Sequence, residues 1–409
     1  MENKDYWFGL RSYMYVDIKD GNMLLYNTIN GEYLETAYVK NIELISQLSD
    51  FNNLGFTLLS RENQKDIRIH EFVMNILNNG MGDILDVNST KNKPVRLIPI
   101  LNLQKDVDKL IKTENNCVLI GQDIYHYLIE LNIYLNSLCT KECPICDEYC
   151  KQILCCTRGA DFQELPIGVL KNVFDQVSFF VPKRINLLGG DVFKYTDIDK
   201  LSDLFQNYKG SIYLYFNYKN YQIHNLLTYI NVEIIINFPV DNILLEKVFS
   251  SVCMSNTTFH FVIEDEDQYN QSKMIIKNFL IEKYILNPIF NNNIEFFSEN
   301  VFLKKEDIFS NVISMREIFR NQKMNANNFG TLYILPDGEV KANMNTLPLG
   351  DIKSDSLLNL IHKEMIENTA WRSIRNISPC NKCLYQWLCP PLSNYEFVID
   401  QPNLCDIKF

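Results

Sequence analysis

Apolar and polar residues alternate with period two near the start of the chain, in Tyr13–Ile18, Met23–Tyr26 and Tyr33–Leu34, with Asp20-Gly21 and Asn30-Gly31 between them. That pattern predicts a small antiparallel sheet joined by tight turns. The period becomes helical in Val39–Leu48 (Val39, Ile42, Leu44, Ile45, Leu48) and again in Ile69–Ile76, stopping at Asn78-Asn79-Gly80. Strands followed by helices predict a compact α+β unit over residues 1–95. The polar run Asn88–Lys93 before Pro94 marks its end, and 96–124 reads as a connector with one short helix. From about Tyr127, apolar strands alternate with amphipathic helices. Strands are predicted at Leu128–Leu135, Ile185–Leu188, Ile212–Phe216, Val232–Phe238, Thr258–Ile263 and Ile294–Phe297. Helices are predicted at Leu165–Val177, Ile223–Tyr229, Leu244–Val252, Ser272–Tyr284 and Lys305–Phe319. Six strands alternating with helices predict an α/β unit over 125–320 with a parallel sheet, open or partly closed as a barrel. A hairpin follows, Thr331–Leu335 and Glu339–Lys341 around Pro336-Asp337-Gly338, then a helix Ser356–Asn368 and a cysteine-rich end, forming a third unit over 321–409.

Composition narrows the class. With 409 residues the chain has room for several domains, and 46% hydrophobic against 22% charged residues is a globular balance. No segment approaches the roughly 18 uninterrupted apolar residues of a membrane helix. The opening Met1-Glu-Asn-Lys-Asp-Tyr-Trp7 lacks the basic flank and apolar stretch of a secretory signal. The expectation is a cytoplasmic protein with no membrane partner. Thirty-nine Lys and Arg against fifty Asp and Glu give a net charge of −11, the wrong sign for wrapping phosphate backbone, so no nucleic-acid partner is expected. Twelve cysteines without an export signal point to thiol chemistry rather than to disulfide staples.

The cysteines are clustered. Six lie at Cys139, Cys143, Cys146, Cys150, Cys155 and Cys156, four close the chain at Cys380, Cys383, Cys389 and Cys405, and Cys117 and Cys253 stand apart. Cys139-Thr-Lys-Glu-Cys143-Pro-Ile-Cys146 follows the first strand of the α/β unit directly. Three thiolates so spaced in one loop can converge on one small centre and leave a coordination position open for chemistry. Gly189-Gly190-Asp191 ends the next strand; two glycines let backbone approach a ligand closely, and the acid can accept from an ammonium. Cys380-Asn-Lys-Cys383, Cys389 and Cys405 have spacings that suit either zinc or an iron–sulfur group.

Together these motifs resemble the radical S-adenosylmethionine superfamily, whose partial (β/α)6 TIM-like barrel carries C-x3-C-x2-C after its first strand and a Gly-Gly-Glu type motif after its second. The resemblance implies a [4Fe–4S] cluster on Cys139, Cys143 and Cys146, with S-adenosyl-L-methionine on its open iron and Gly189, Gly190 and Asp191 at the methionine amino group. It implies that Ile145 packs on the adenine where the family has an aromatic, and that Asn237, in Asn237-Phe-Pro-Val where the family has Ser-x-Asp-Gly, donates to a ribose hydroxyl. The carboxyl-terminal unit resembles the SPASM extension of enzymes that modify ribosomally made peptides. Lys341-Ala-Asn-Met carries no cysteine and position 393 is serine, so the ligands of a first auxiliary cluster are missing. One auxiliary [4Fe–4S] cluster, fully ligated by Cys380, Cys383, Cys389 and Cys405, is therefore implied. The first unit resembles the PqqD-like, winged-helix-like element that captures leader peptides by adding them as a strand to a sheet edge. Over nearly its whole length, including Tyr6-Trp7, Gly80-Met-Gly82-Asp83, Cys155-Cys156-Thr157 and Cys389-Pro-Pro, the chain resembles a Bacteroidales-type group called pseudo-radical-SAM/SPASM proteins. The expectation is a maturase of a ribosomally synthesised precursor peptide, served by an external electron donor. A non-catalytic peptide-binding subunit and a structural zinc protein are the alternatives.

Other residues carry weaker signals. Cys150, Cys155 and Cys156 read as small buried residues of a helix. The histidines at 70, 126, 224, 260 and 362 have no metal-site spacing, and Glu264-Asp-Glu-Asp267 reads as a solvated loop.

Overall fold

The computed structural model describes residues 4–97, 124–141, 143, 146–159, 161–206 and 208–407. Most of the connector with Cys117, and the adenine-contact candidate Ile145, lie outside the described residues.

The amino-terminal unit holds two small antiparallel sheets. In one, β1 (Tyr6–Leu10) lies between β5 (Thr57–Leu59) and β6 (Gly82–Asp86). The other is the expected meander of β2 (Met14–Lys19), β3 (Asn22–Asn27) and β4 (Tyr33–Thr36). Helices Val39–Ser49 and Ile67–Asn78 turn Leu44, Ile45, Leu48, Ile69, Val73 and Ile76 onto Phe8, Met14, Met23 and Leu25. The opposite face of the meander presents Tyr15, Leu24 and Tyr26 to Ile308, Ile318, Tyr385 and Leu388, so one sheet faces both its own helices and the cysteine-rich end. Asp66 caps helix Ile67–Asn78 and accepts from Tyr38 Oη at 2.6 Å and Lys40 Nζ at 2.9 Å. The Tyr38 hydroxyl above all, with Lys40, holds its carboxyl down to about 2. A carboxyl depressed on folding adds stability above its unfolded value near pH 4, and that stability is lost as pH falls through about 2. Acid unfolding of the Asp66→Asn variant is accordingly expected to lose the component between those limits, read by circular dichroism against pH.

The rest of the chain is built on a nine-stranded sheet. Six strands, β7 (Glu130–Tyr134), β8 (Arg184–Leu188), β9 (Ser211–Asn217), β10 (Asn231–Asn237), β11 (Thr257–Ile263) and β12 (Tyr284–Pro288), run parallel and in sequence order. On the other side of β7 the sheet continues through β13 (Thr331–Ile334), parallel to it, then β14 (Glu339–Lys341) and β15 (Gly350–Asp351). This is a mixed α/β fold with a large, parallel-rich sheet. Successive residues of a strand face opposite ways. Leu131, Ile133, Ile185, Leu187, Ile234 and Phe261 pack under helices Ile167–Val177 and Asn242–Ser251.

The other face is layered. A middle layer is apolar, with Tyr134, Leu188, Ile235, Val262 and Ile289. Toward the amino ends lies a charged layer, in which Glu233 accepts from Arg184 at 2.6 Å and meets His260 at 2.7 Å, and Asn186 bonds Glu130 and Asn132.

Several expectations shift. The helix expected at Ser272–Tyr284 is Glu266–Asn278, and Tyr284 opens β12 instead. Of Ile223–Tyr229 only the 3-10 turn Asn225–Thr228 forms. Ile294–Phe297 is not the sixth strand but part of helix Ile294–Asn300; the strand is Tyr284–Pro288, an edge strand whose apolar run is only Tyr284-Ile285-Leu286 before Asn287 and Pro288 break it. The acidic run starts a helix: Asp265 caps Gln268 N at 2.7 Å, and Glu266 and Asp267 sit in the first turn where the helix dipole favours acids. The stretch Lys305–Phe319 divides into Lys305–Phe309 and Met315–Asn321, the second opened by a Ser314–Glu317 capping box.

Candidate active site at the carboxyl ends of the parallel strands

Ligands of parallel α/β sheets sit where the strands end, because loops from several strands open on one crevice there. The candidate residues fall in that place. Asn136, just past β7, is fully buried; its Nδ2 donates to Asp191 O at 2.9 Å, and its carbonyl and Oδ1 both receive the Gly190 N–H, at 2.9 and 3.1 Å. The loops after β7 and β8 are thus locked together. A Cβ on Gly190 would stand 2.3 Å from Leu138 O and 3.0 Å from Cys139 N. Only glycine lets the second loop reach the backbone that carries the first cysteine. Gly189 is less tightly held, with Asn136 Oδ1 at 3.0 Å from its would-be Cβ.

Asp191 is buried, accepts from Phe193 N at 3.2 Å and faces Lys194 at 3.6 Å. Burial pushes its carboxyl up, and Lys194 opposes that. Cys139 Sγ accepts from Lys141 N at 3.5 Å, and burial raises its thiol. The neighbouring Cys146 thiol, with Lys219, brings Cys143 down, and Cys143 together with burial lifts Cys146. The three sulfurs share one electrostatic neighbourhood, and Cys156 bears on all of them. The other cysteines sit deeper, though only Cys150 belongs to the helix Cys146–Gln152: Cys155 and Cys156, past its end, have sulfurs 3.9 Å apart in the apolar layer, and Cys150 Sγ turns to Asp147 O at 3.3 Å.

Sequence reasoning missed four residues of this rim: Asn136, Asn217, Asn220 and Tyr149. Asn217, closing β9, donates to Asn237 Oδ1 at 2.5 Å at the end of β10, which leaves Asn237 Nδ2 buried without a partner. Asn220 donates to Gly190 O at 3.3 Å and leaves its own Oδ1 unpartnered. Tyr149 Oη donates to Glu264 at 2.5 Å. An asparagine at or just beyond the last apolar position of three strands was the available signal. Buried polar atoms without partners are costly unless a ligand meets them.

The four carboxyl-terminal cysteines line one small cavity together with Leu303, Arg375, Gln386 and Asn403. Cys383 Sγ accepts from Tyr385 N at 3.4 Å and Cys405 Sγ from Asn403 Nδ2 at 3.7 Å. Burial lifts Cys383 to about 11 and Cys389 to about 12, with Arg375 opposing it at Cys389. Among the described residues no three histidine, cysteine, aspartate or glutamate side chains are gathered closely enough to clasp a single metal ion. In a cubane cluster each thiolate meets a different iron, so its ligands ring a cavity. Where the sequence lacks cysteines after β14, amides stand instead: buried Asn343 donates to Asn328 at 3.0 Å and Asn394 at 2.7 Å, and Asn345 donates to Lys151 O at 2.8 Å, tying this segment to the helix that Cys146 begins.

No known family profile and no curated protein matches the sequence. In shape the chain is similar to Streptococcus suis SuiB bound to its precursor peptide SuiA, at 12% identity over 98% of this chain and 99% of that one, with a TM-score of 0.48. It is similar also to SuiB bound to S-adenosylmethionine (11%, 98% and 99%, TM-score 0.41) and to anSMEcpe with bound AdoMet (13%, 64% and 88%, TM-score 0.45). No helix among the described residues is long and apolar enough to cross a membrane.

Proposed function

We propose that this chain is a radical S-adenosylmethionine enzyme that modifies a ribosomally made precursor peptide by hydrogen abstraction. The observation that carries this reading is the seat of Gly190 against Leu138 and Cys139, which joins the C-x3-C-x2-C loop and the Gly-Gly-Asp loop into one rim. Cys139, Cys143 and Cys146 would hold a [4Fe–4S] group, which with S-adenosylmethionine supplies one-electron cleavage of a sulfonium and hence hydrogen abstraction. The donor set fits: three half-buried thiols lie beside a glycine cradle and two unpartnered amide atoms.

The chain's own residues then have separate tasks. Gly189 and Gly190 bring backbone close to the ligand, and the Asp191 carboxylate accepts from an ammonium. Asn237 Nδ2 offers a donor to a hydroxyl. The layer of Tyr134, Leu188, Ile235 and Val262 closes the site beneath and excludes water. Cys380, Cys383, Cys389 and Cys405 would hold a second, fully ligated [4Fe–4S] group suited to passing electrons from an external donor. The unit over 1–95 would take the leader peptide, 125–320 the chemistry and 321–409 the auxiliary group.

Anoxic reconstitution with iron and sulfide tests the assignment. A brown protein with about eight irons per chain is expected, four per cluster, falling to about four when Cys139, Cys143 and Cys146 are all alanine. A colourless protein that takes up zinc and no iron would overturn it.

A further inference from the structure

Lys19 closes β2, yet its ammonium leaves the amino-terminal unit. Its Nζ donates to the carbonyl of Cys383 at 3.0 Å and to Gln386 Oε1, and lies 5.9 Å from the centre of the Trp387 ring. Its side chain is only 15% exposed, so water and salt screen its charge weakly. Cys383 and Gln386 both line the four-cysteine cavity, so this charge, brought from another domain, stands directly behind two residues of the cavity wall. Gln386 in turn donates through Nε2 to Arg375 O, and the Arg375 guanidinium lies in the same wall. The two cations are countered differently. Arg375 is paired directly with buried Glu396, whereas Lys19 meets Asp17 only at 3.6 Å, and the Asp17 Oδ2 has no hydrogen-bond partner.

We propose that Lys19, carried on the amino-terminal sheet, raises the reduction potential of the cluster that Cys380, Cys383, Cys389 and Cys405 would hold. The inference rests on the preceding reading that these thiols carry a [4Fe–4S] group. Reduction adds a negative charge to an already anionic centre, so a weakly screened ammonium beside one ligand favours the reduced form. Lys19 acts through the Cys383 backbone and is a positioning residue. It also links the domain proposed to receive the leader to the electron-transfer unit, since a displacement of β2 moves the charge.

The test uses the full chain with Cys139, Cys143 and Cys146 all alanine, so that only the auxiliary cluster is present, titrated potentiometrically and followed by electron paramagnetic resonance and visible absorption. Lys19→Gln is expected to lower the reduction equilibrium about tenfold, a downward shift of about 59 mV for one electron. Lys19→Arg is expected to stay near the parent, and Asp17→Asn, which removes the counter-charge, to shift upward. Equal potentials for Lys19→Gln and parent, both carrying about four irons, would overturn the proposal and leave Lys19 a packing contact. Should Lys19→Gln fail to hold iron, the absence of an upward shift in Asp17→Asn would overturn it. A parent that binds no iron at all would overturn the cluster reading and this inference with it.

Discussion

Alanine at Gly190 is expected to empty the Cys139–Cys143–Cys146 site. The added methyl would meet a carbonyl oxygen at 2.3 Å and its carbon at 2.5 Å, both belonging to the Leu138 backbone. No side-chain rotation relieves such a contact, so either the β8 loop or the cysteine loop must shift. Overpacking of a closed site costs about 1–3 kcal/mol, and the displaced element here carries the first thiol. The Gly190→Ala variant should therefore lose about half its iron on reconstitution and unfold at lower urea, while Gly189→Ala, which meets the Asn136 side chain at 3.0 Å, falls between it and the parent. Full iron uptake by Gly190→Ala would show that the two loops do not form one site.

Glu396→Gln is expected to be still more damaging, and at the other end of the molecule. Glu396 Oε1 holds the buried Arg375 guanidinium, and Oε2 receives the Ser393 backbone N–H at 2.6 Å and its hydroxyl at 3.2 Å. Both side chains are less than a tenth exposed. Removing one charge of such a pair leaves the other buried without compensation, which costs about 3–5 kcal/mol. Arg375 also fastens Pro390 O and Pro402 O, so its release loosens the segments that bring Cys389 and Cys405 to the cavity. The expected result is loss of the auxiliary irons with the triad irons retained, measured as iron per chain in the parent and in the triad-alanine background. Retention of all irons would show that the pair is not what holds the cavity together.

The sequence made the sheet and the thiols legible for identifiable reasons. Strands β8 to β11 are central, buried on both faces, and so read as the apolar runs Ile185–Leu188, Ile212–Phe216, Val232–Phe238 and Thr258–Ile263. The edge strand Tyr284–Pro288 offers only the three-residue run Tyr284–Leu286 before Asn287 and Pro288, too short to stand out from the apolar residues of the neighbouring helices. Strand β1 pairs with β5 and β6, some fifty and eighty residues away in register pairs such as Trp7 with Leu58 and Leu85, and local periodicity holds no trace of that pairing. The cysteine and Gly-Gly-Asp motifs were visible because each is a short run whose residue types and spacing stand in the sequence itself. The asparagines of the rim were not, since Asn136, Asn217 and Asn220 act through partners brought together only by the sheet. Lys19 was invisible for the same reason: its partners Cys383 and Gln386 lie more than 360 positions away.

The most direct measurement is the release of 5′-deoxyadenosine from anoxically reconstituted protein given S-adenosylmethionine and a strong reductant, beside the variant with Cys139, Cys143 and Cys146 replaced by alanine. Release by the parent and none by the variant is the predicted result. A parent loaded with about eight irons that releases no deoxyadenosine, even with its precursor peptide, would contradict the account and make the chain a peptide-binding partner rather than the radical generator.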